Sequence, residues 1–256
     1  MVKVAVLLSV GRHPASGRAR RNPLDARALE LALSLPGAEI HAVHAGDPGE
    51  AALRDYLGMG LSRLTVLAVP PGSDPVLPLT EHLKSLAPDI ILAGARAEGG
   101  EDSGMVPYLV GQALGVAIVA DVAAVCIGDG TASVTQALPR GGRRLIEARL
   151  PLLATVNAAA PAARQSAFAR ARRGVIDTIA AEAPADAFLA ACETRPWRAR
   201  PKRMRVPAGG SALDRLKAMT ETKSGAGKVL IDPSAEDAAA AIYDYLVEKR
   251  FIGAHR

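Results

Sequence analysis

The sequence predicts an α/β fold: a doubly wound, mostly parallel sheet with helices on both faces, an added β-hairpin region and an extended C-terminal arm. The order of segments supports the core of this prediction. Apolar runs that suit strands alternate four times with amphipathic segments that suit helices, which favours right-handed crossovers between parallel strands. The composition agrees, because 49% of the 256 residues are hydrophobic and only 3% are aromatic, so that Val, Leu, Ile and Ala must fill the core.

The four strand and helix pairs follow one another in chain order. The first helix has the clearest start, because Asn22 is a suitable N-cap, Pro23 suits the first turn, and leucines follow at helical spacing. The second helix breaks near Gly58 to Gly60, and the fourth carries Pro107 in or near its first turn. The predicted strands are 2–10, 38–46, 63–70 and 89–95, and the predicted helices are 22–35, 47–62, 74–88 and 102–116.

After Gly115 the pattern changes to short strands and tight turns. Gly-Asp-Gly at 128–130 and Arg-Gly-Gly at 140–142 supply the positive φ angles that hairpins need, so residues 117–157 predict strand, turn, strand, turn, strand. Residues 158–227 are rich in Pro, Arg and Ala and show weak periodicity, which predicts an arm. The last segment predicts a short strand and an amphipathic helix that starts at Pro233 or Ser234.

The net charge of +5 is concentrated in two segments, 164–174 and 195–205. Such segments suit a nucleic acid, a membrane surface or an acidic partner protein, and they are also compatible with a merely solvated surface. Phe168 and Trp197 are the aromatics there, and this scarcity weakens the case for stacking on nucleic-acid bases.

The two cysteines and the N-terminus bear on the compartment. Cys126 and Cys192 form no CxxC motif and have no neighbouring histidine pair, so the sequence suggests neither a disulfide framework nor a zinc site. This cysteine usage favours a reducing compartment. The apolar run at the N-terminus is far shorter than the ~20 residues that span a bilayer, and we interpret it as a first strand. We therefore expect a cytoplasmic protein that is not an integral membrane protein.

The candidate site lies where the loops after the strands meet. The segments 9–12, 22–25, 44–47 and 94–104 are expected along one edge of the sheet, where small residues let a ligand approach the backbone. The N–H groups that start the helix after Ser103 favour an anion such as phosphate. Glycine-rich loops of this kind also occur without a ligand, and no GxGxxG or P-loop lysine is present.

No hydrolytic or metal-binding constellation is apparent. The five histidines are scattered, and no serine has a nucleophile-elbow motif around it. Glu98, Glu101 and Asp102 could bind a metal, but neighbouring carboxylates in a glycine loop are more often solvated or paired. We therefore expect neither a catalytic residue nor a metal site.

The order of several motifs resembles the beta subunit of electron transfer flavoproteins. Over residues 2–174 the motifs are "VAVLLSVGR", "NPLDARALELAL", "YLGMGLSRLTVL", "PDIILAGARAEGGEDSGMVPYLVGQALG", "ALPRGGRRLIEARLPLLATVN" and "FARARRG", and a weaker likeness resumes at 223–231. That family opens its first helix with Asn-Pro, ends its nucleotide loop in Gln-Thr-Gly and leads a Gly-Gly hairpin into a Leu-Pro strand. Each feature has a counterpart here.

The resemblance implies a heterodimer with an alpha subunit. One FAD would be held mainly by that partner and one AMP would be buried in this chain, and the pair would pass electrons from flavoprotein dehydrogenases to a downstream acceptor. This chain would be an electron carrier subunit without catalytic residues of its own. Residues 1–175 would form the nucleotide-binding α/β domain, and 176–256 would form the arm and the strand and helix that contact the partner.

The family pattern also implies two sets of residues. The nucleotide would contact Ser9, Asn22, Pro23, Leu24, Asp25, Ala45, Gly94, Ala95, Arg96, Ala97, Glu101, Asp102, Ser103 and Gly104. A dehydrogenase would dock on Gln165, Phe168, Arg170, Arg172 and Arg173.

This chain departs from the family pattern in four places. The nucleotide loop is two residues shorter and reads "EGGEDSG", and the hairpin after the first strand is reduced to "HPASGRARR". Arg140 stands where the family has an acid. Gln165 or Phe168 takes the place of the leucine offered to dehydrogenases, so a different electron donor is expected.

Three alternatives to this interpretation stay open. A stand-alone adenine-nucleotide-binding regulator of the universal-stress type would share the core but would not need the arm. A nucleic-acid-binding protein would explain the basic segments but not the polar edge of the sheet. A bifurcating relative would carry a second FAD in place of AMP.

Overall fold

The computed structural model describes residues 2–99, 103–128, 130–193, 195, 229–248 and 251–252. The chain divides into two compact units, Met1–Thr194 and Arg195–Arg256. Within the described residues, no helix is both long enough and apolar enough to cross a membrane.

The described part of the first unit is built on a sheet of nine strands. Their order is β11-β5-β4-β1-β6-β10-β7-β8-β9, parallel from β11 to β7 and antiparallel from β7 to β9. The remaining two, β2 and β3, form a separate antiparallel hairpin. The strands are β1 (Val2–Leu7), β2 (Val10–Arg12), β3 (Ala19–Arg21), β4 (Ala38–Gly46), β5 (Arg63–Ala68), β6 (Ile90–Gly94), β7 (Ala117–Gly128), β8 (Thr131–Ala137), β9 (Arg143–Arg149), β10 (Leu152–Val156) and β11 (Val175–Ala180).

Helices cover both faces of the parallel part. Helices α1 and α2 share one apolar core with the sheet, built around Leu29 and Leu57, and α3 and α4 share a second core, built around Leu83 and Val110. The helices are α1 (Pro23–Ser34), α2 (Arg54–Leu57), α3 (Val76–Leu86), α4 (Val106–Leu114), α5 (Phe168–Arg173), α6 (Ala187–Ala191) and α7 (Ala235–Glu248), with 3₁₀ turns at Ala51–Leu53 and Pro139–Gly141. The predicted fold class is confirmed.

Two of the predicted strands in the first unit are wrong. The first strand ends at Leu7, and the following residues form the β2–β3 hairpin, which is therefore shortened but not lost. The predicted last strand of the hairpin region is two strands. Pro151 has no N–H to continue the ladder, so β9 ends before it and the fully buried β10 enters the middle of the sheet between β6 and β7.

The predicted arm contains regular structure that its weak periodicity concealed. Helix α5 and strand β11 lie within it, and β11 pairs with β5 along its whole length. Residues 196–228 of the predicted arm lie outside the described residues.

In the second unit, the structure describes residue 195 and, toward the C-terminus, residues 229–248 and 251–252. Helix α7 begins where predicted. Ser234 caps its first turn, since the Ser234 hydroxyl accepts from the N–H of Asp237 at 3.1 Å. The predicted short strand before it is wrong over residues 229–234, which are irregular.

Candidate functional site

A cleft of about 620 Å³ opens at the carboxyl ends of β1, β4 and β6. The chain winds from β1 to β4 and β5 on one side and returns to β6 on the other side of β1, so the cleft lies at the switch point of the sheet. We call it the strand-end cleft, and it is lined mainly by residues within 7–10, 43–45, 72–76, 93–99, 103–109 and 186–189.

Asn22 fixes the start of α1 beside this cleft. Its side-chain oxygen accepts from the N–H of Leu24 at 2.8 Å, as the predicted N-cap requires. Its side-chain nitrogen donates to the carbonyl of Arg96 at 3.1 Å. One buried amide therefore joins α1 to the loop that follows β6.

Asp25 ties the ends of two neighbouring strands to the first turn of α1. Its carboxylate accepts from the N–H of Ser9 at 2.7 Å, the hydroxyl of Ser9 at 2.5 Å and the N–H of Gly94 at 2.9 Å. Burial raises the pKa of Asp25 to about 6, although these hydrogen bonds oppose the rise. The carboxyl thus holds the β1 and β6 ends together.

Tyr56 completes this network, and sequence reasoning missed it. Its hydroxyl accepts from the N–H of Asn22 at 2.8 Å and donates to the carbonyl of Ser9 at 2.7 Å. Burial raises the pKa of Tyr56 well above its ordinary value, so the group stays a neutral donor. In the sequence it looks like another apolar residue of a short helix, and no local signal distinguishes it.

His44 lines the cleft at the end of β4. Its Nδ1 lies 2.9 Å from the carbonyl oxygen of Leu8, which can only accept, so Nδ1 carries the proton. Burial lowers the pKa of His44 and favours the neutral ring. Its Nε2 is then an acceptor, and a Cβ at Gly46 would lie only 2.5 Å from it. The sequence placed segment 44–47 at this edge of the sheet, and the structure puts His44 in the lining of the cleft.

The start of α4 forms another wall. Met105 caps α4 without a side-chain hydrogen bond, and the first N–H groups of a helix have no partner within it. Gly104 has a φ of 71°, and a Cβ there would lie 2.6 Å from the carbonyl oxygen of Ala95. Only glycine lets the loop turn so tightly against that backbone.

Gly94 shows the same close approach on the other side. A Cβ there would lie 2.8 Å from the backbone nitrogen of Asp25 and 2.8 Å from the Cβ of Leu24. The small residues after β6 are therefore required by packing against α1, as well as being available to a ligand.

Two loops that the sequence did not point to close the cleft. The N–H of Asp186 donates to the carbonyl of Gly72 at 2.9 Å, and the N–H of Asp74 donates to that of Pro184 at 2.8 Å. These bonds bring α6 to the cleft, where Phe188 contributes an aromatic ring that is 63% exposed. The prediction missed α6 because it depends on the unpredicted strand β11.

A smaller cleft of about 310 Å³ adjoins the first through Ala97. It is lined by Asn22, Pro23, Leu24, Arg96, Ala97 and Glu98. Glu98 accepts from Arg20 at 2.9 and 2.5 Å, which joins the β2–β3 hairpin to this loop. Glu98 is thus paired, and no group of three or more potential metal ligands occurs among the residues that the structure describes.

The structure brings most of the predicted nucleotide residues to these two clefts. Ser9, Asp25, Ala45, Gly94, Ala97, Ser103 and Gly104 line the strand-end cleft, and Asn22, Pro23, Leu24 and Arg96 line the smaller one. Ala95 donates its N–H to Val156 and lies under Gly104. Glu101 and Asp102 lie outside the described residues.

The predicted docking residues lie on a separate surface, which we call the basic segment (164–173). Arg164 forms a forked ion pair with Glu30 at 2.8 Å per contact, and this pairing lowers the pKa of Glu30. The N–H of Ala167 donates to Gly58 at 3.0 Å, and Ala171 is buried. The segment is therefore anchored to α1 and α2.

The anchored segment presents its predicted docking side chains to solvent. Phe168 is 79% exposed, which contradicts an inward-packed ring, and Gln165, Arg170, Arg172 and Arg173 are also exposed.

Comparison with known proteins gives a consistent result. Residues 15–184 match the family model described as electron transfer flavoprotein domain. Over 98% of its length the chain is 44% identical to the electron transfer flavoprotein subunit beta of Chromohalobacter salexigens, of which the match covers 96%. Over 51% of its length it is 36% identical to the protein of the same name from Syntrophomonas wolfei, of which 54% is covered.

Proposed function

This chain belongs to the electron transfer flavoprotein beta subunit family, and from that premise we propose that it pairs with an alpha subunit as an electron carrier. The near full-length likeness carries this proposal. The heterodimer would accept electrons from flavoprotein dehydrogenases and pass them to a downstream acceptor. FAD, held mainly by the alpha subunit, would supply the redox chemistry. This membership favours the electron-carrier proposal over the universal-stress and nucleic-acid alternatives.

We further propose that the strand-end cleft holds AMP. Its volume of about 620 Å³ lies within the range of small-molecule sites. Gly104 keeps side-chain atoms away from the carbonyl of Ala95, and the uncapped start of α4 offers N–H groups to an anion. These observations support a phosphate near Ser103 and Gly104, with the rest of the nucleotide toward β1 and β4.

The chain's own residues would give this site its rigidity. Asn22, Asp25 and Tyr56 join the ends of β1 and β6 to α1 through buried hydrogen bonds. A ligand that meets walls already fixed in place loses less entropy on binding. We therefore propose a structural role for the nucleotide, which would stabilise the heterodimer without taking part in the redox step.

The basic segment is the proposed docking site for the dehydrogenase. An exposed aromatic ring on an anchored helix suits a brief encounter, because few side chains must be ordered when the partner arrives. The free thiols Cys126 and Cys192 agree with the cytoplasm as the proposed location.

Expression of this chain with and without the alpha subunit tests the assignment. Alone, the chain should be colourless and prone to aggregate, because surfaces meant for the partner would be exposed. Together, the two chains should purify as a yellow heterodimer with one FAD. A stable yellow monomer of this chain would contradict the proposal.

A further inference from the structure

The strand-end cleft contains one buried side chain whose chemistry the proposed function has not used, namely His44. It is 8% exposed and lies near the end of β4, in the same lining as the apolar residues Leu7 and Val43. Because Nδ1 donates to the carbonyl of Leu8, the neutral ring has its lone pair on Nε2. Within the described part of the chain, Nε2 has no hydrogen-bond partner.

The other carboxylates and hydroxyls of the cleft are differently placed. Asp25 already receives three hydrogen bonds from the protein, and Ser9 donates its hydroxyl to it. Asp74 and Asp186 accept from backbone N–H groups at the half-buried rim. His44 Nε2 is therefore an unused acceptor on a buried side chain that lines the cleft.

The surroundings of His44 indicate which part of a nucleotide reaches it. A neutral Nε2 has no proton to offer a phosphate oxygen, whereas the N–H groups that start α4 do. The floor beside His44 is apolar, since Leu7, Val43 and Leu79 are each no more than 6% exposed, and a flat base covers such a surface better than a ribose does.

We propose that His44 Nε2 accepts a hydrogen bond from the 6-amino group of the bound purine and thereby makes the site select adenine over 6-oxo purines. This inference rests on the proposed nucleotide site and adds its specificity-determining residue. A 6-oxo group would place an acceptor against an acceptor and leave both unpaired. Such a mismatch weakens binding by about 10-fold to 100-fold.

Competition between nucleotides tests the proposal on the wild-type heterodimer. The heterodimer is stripped of nucleotide in mild denaturant, refolded with FAD and an equimolar mixture of AMP and IMP, and extracted for chromatography. The retained AMP should exceed IMP by about 10-fold or more. Purine riboside monophosphate, which lacks the 6-amino group, should also lose to AMP, whereas 2′-deoxy-AMP and 3′-deoxy-AMP should compete nearly equally.

A variant pair then assigns the preference to His44. His44→Phe keeps a ring of similar size but has no acceptor, so the ratio of AMP to IMP should fall toward one. His41→Phe, on the same strand but outside the cleft, should keep the wild-type ratio. If His44→Phe does not assemble, the analogue series on the wild type still decides.

The outcomes separate this inference from the proposed function. The role of His44 would be overturned if the wild type retained AMP and IMP equally, or if His44→Phe kept the wild-type preference. It would also be overturned if the deoxy sugars, and not the changes to the base, weakened nucleotide retention. Retention of no nucleotide by the wild type would instead overturn the nucleotide site itself.

Discussion

The strand-end cleft and the basic segment are both anchored to α1, but they use their side chains in opposite ways. Polar groups in and beside the cleft, such as Asp25 and Asn22, are buried and bound to the protein, so the walls are fixed before a ligand arrives. In the basic segment, Arg164 is the anchor, and Phe168 extends into solvent. The first arrangement suits a ligand that stays bound, and the second suits a partner that leaves.

This difference predicts that changes in the cleft affect composition and stability, whereas changes in the basic segment affect rates. The largest effect is expected at Gly104. Gly104→Val forces a β-branched residue to a φ of 71° and places its Cβ 2.6 Å from the carbonyl oxygen of Ala95. Backbone strain of this kind costs about 1–3 kcal/mol before the clash is counted. Nucleotide retention should fall about tenfold or more, while the flavin potential stays nearly unchanged.

Gly115→Val is the matched control for that change. Gly115 has a φ of 68° at the other end of α4, but no atom lies within 4 Å of its Cβ position. Gly115→Val should therefore lower the melting temperature of the heterodimer while leaving its nucleotide content intact. Wild-type AMP in acid extracts of Gly104→Val would show that the loop does not form the site.

The next effect is the pH dependence contributed by Asp25. Its pKa rises from an ordinary 3.8 to about 6 on folding, so between these values the folded chain holds a proton that the unfolded chain has lost. The stability contributed by the neutral carboxyl is therefore complete below pH 3.8 and lost as the pH rises through 6. The loss is on the order of 3 kcal/mol.

This contribution is measured by urea unfolding of the wild-type heterodimer and of the heterodimer that carries Asp25→Asn, between pH 4 and 7.5. Asparagine does not titrate, so the free energy of unfolding of the wild type minus that of the variant should decrease as the pH rises. A difference that stays flat or increases would contradict the raised pKa.

Phe168→Ala should have a smaller effect, and on rate alone. Truncating an exposed aromatic anchor at a transient interface costs about 1–2 kcal/mol, so reduction of the FAD by the dehydrogenase should slow about 5-fold to 30-fold. The slowing should be similar at low and high salt, because the contact is apolar. Phe188→Ala removes a comparable exposed ring from the cleft and should leave the stopped-flow rate unchanged. A wild-type rate for Phe168→Ala with intact flavin would show that docking occurs elsewhere.

Replacing Arg170, Arg172 and Arg173 by Ser should have the smallest effect at physiological salt. Exposed charges steer association, so the reduction rate should fall several-fold at low ionic strength and little at high salt. The same loss of three charges on β9, at Arg143, Arg144 and Arg149, controls for net charge. Equal effects of both triple variants would assign the steering to the whole chain and not to the basic segment.

The two regions also differ in how far the sequence predicted them. The start of α1 was predictable, because Asn22 and Pro23 form a local signal at fixed spacing, and so was the position of the cleft, which follows from parallel topology. Neither Tyr56, which supports the cleft, nor α6, which closes it, was predictable from the sequence. Their roles depend on contacts between segments far apart in the chain, such as Tyr56 to Ser9 and Asp186 to Gly72.

The basic segment shows the same limit in another form. Its charges were visible in the sequence, but whether Phe168 faces solvent depends on distant anchors at Glu30 and Gly58. Strand β10 was missed for a related reason. The run 152–156 is apolar apart from Thr155, and by local pattern it is indistinguishable from a continuation of the hairpin. Its central place is set by pairing with β6 and β7.

The nucleotide content of the purified heterodimer tests the central claim most directly. Acid extraction followed by chromatography and mass spectrometry should return one FAD and one AMP per heterodimer, with AMP retained through gel filtration. A heterodimer that returns one FAD and no second nucleotide would contradict the assignment of the strand-end cleft, and two FAD without AMP would contradict the identity of its ligand.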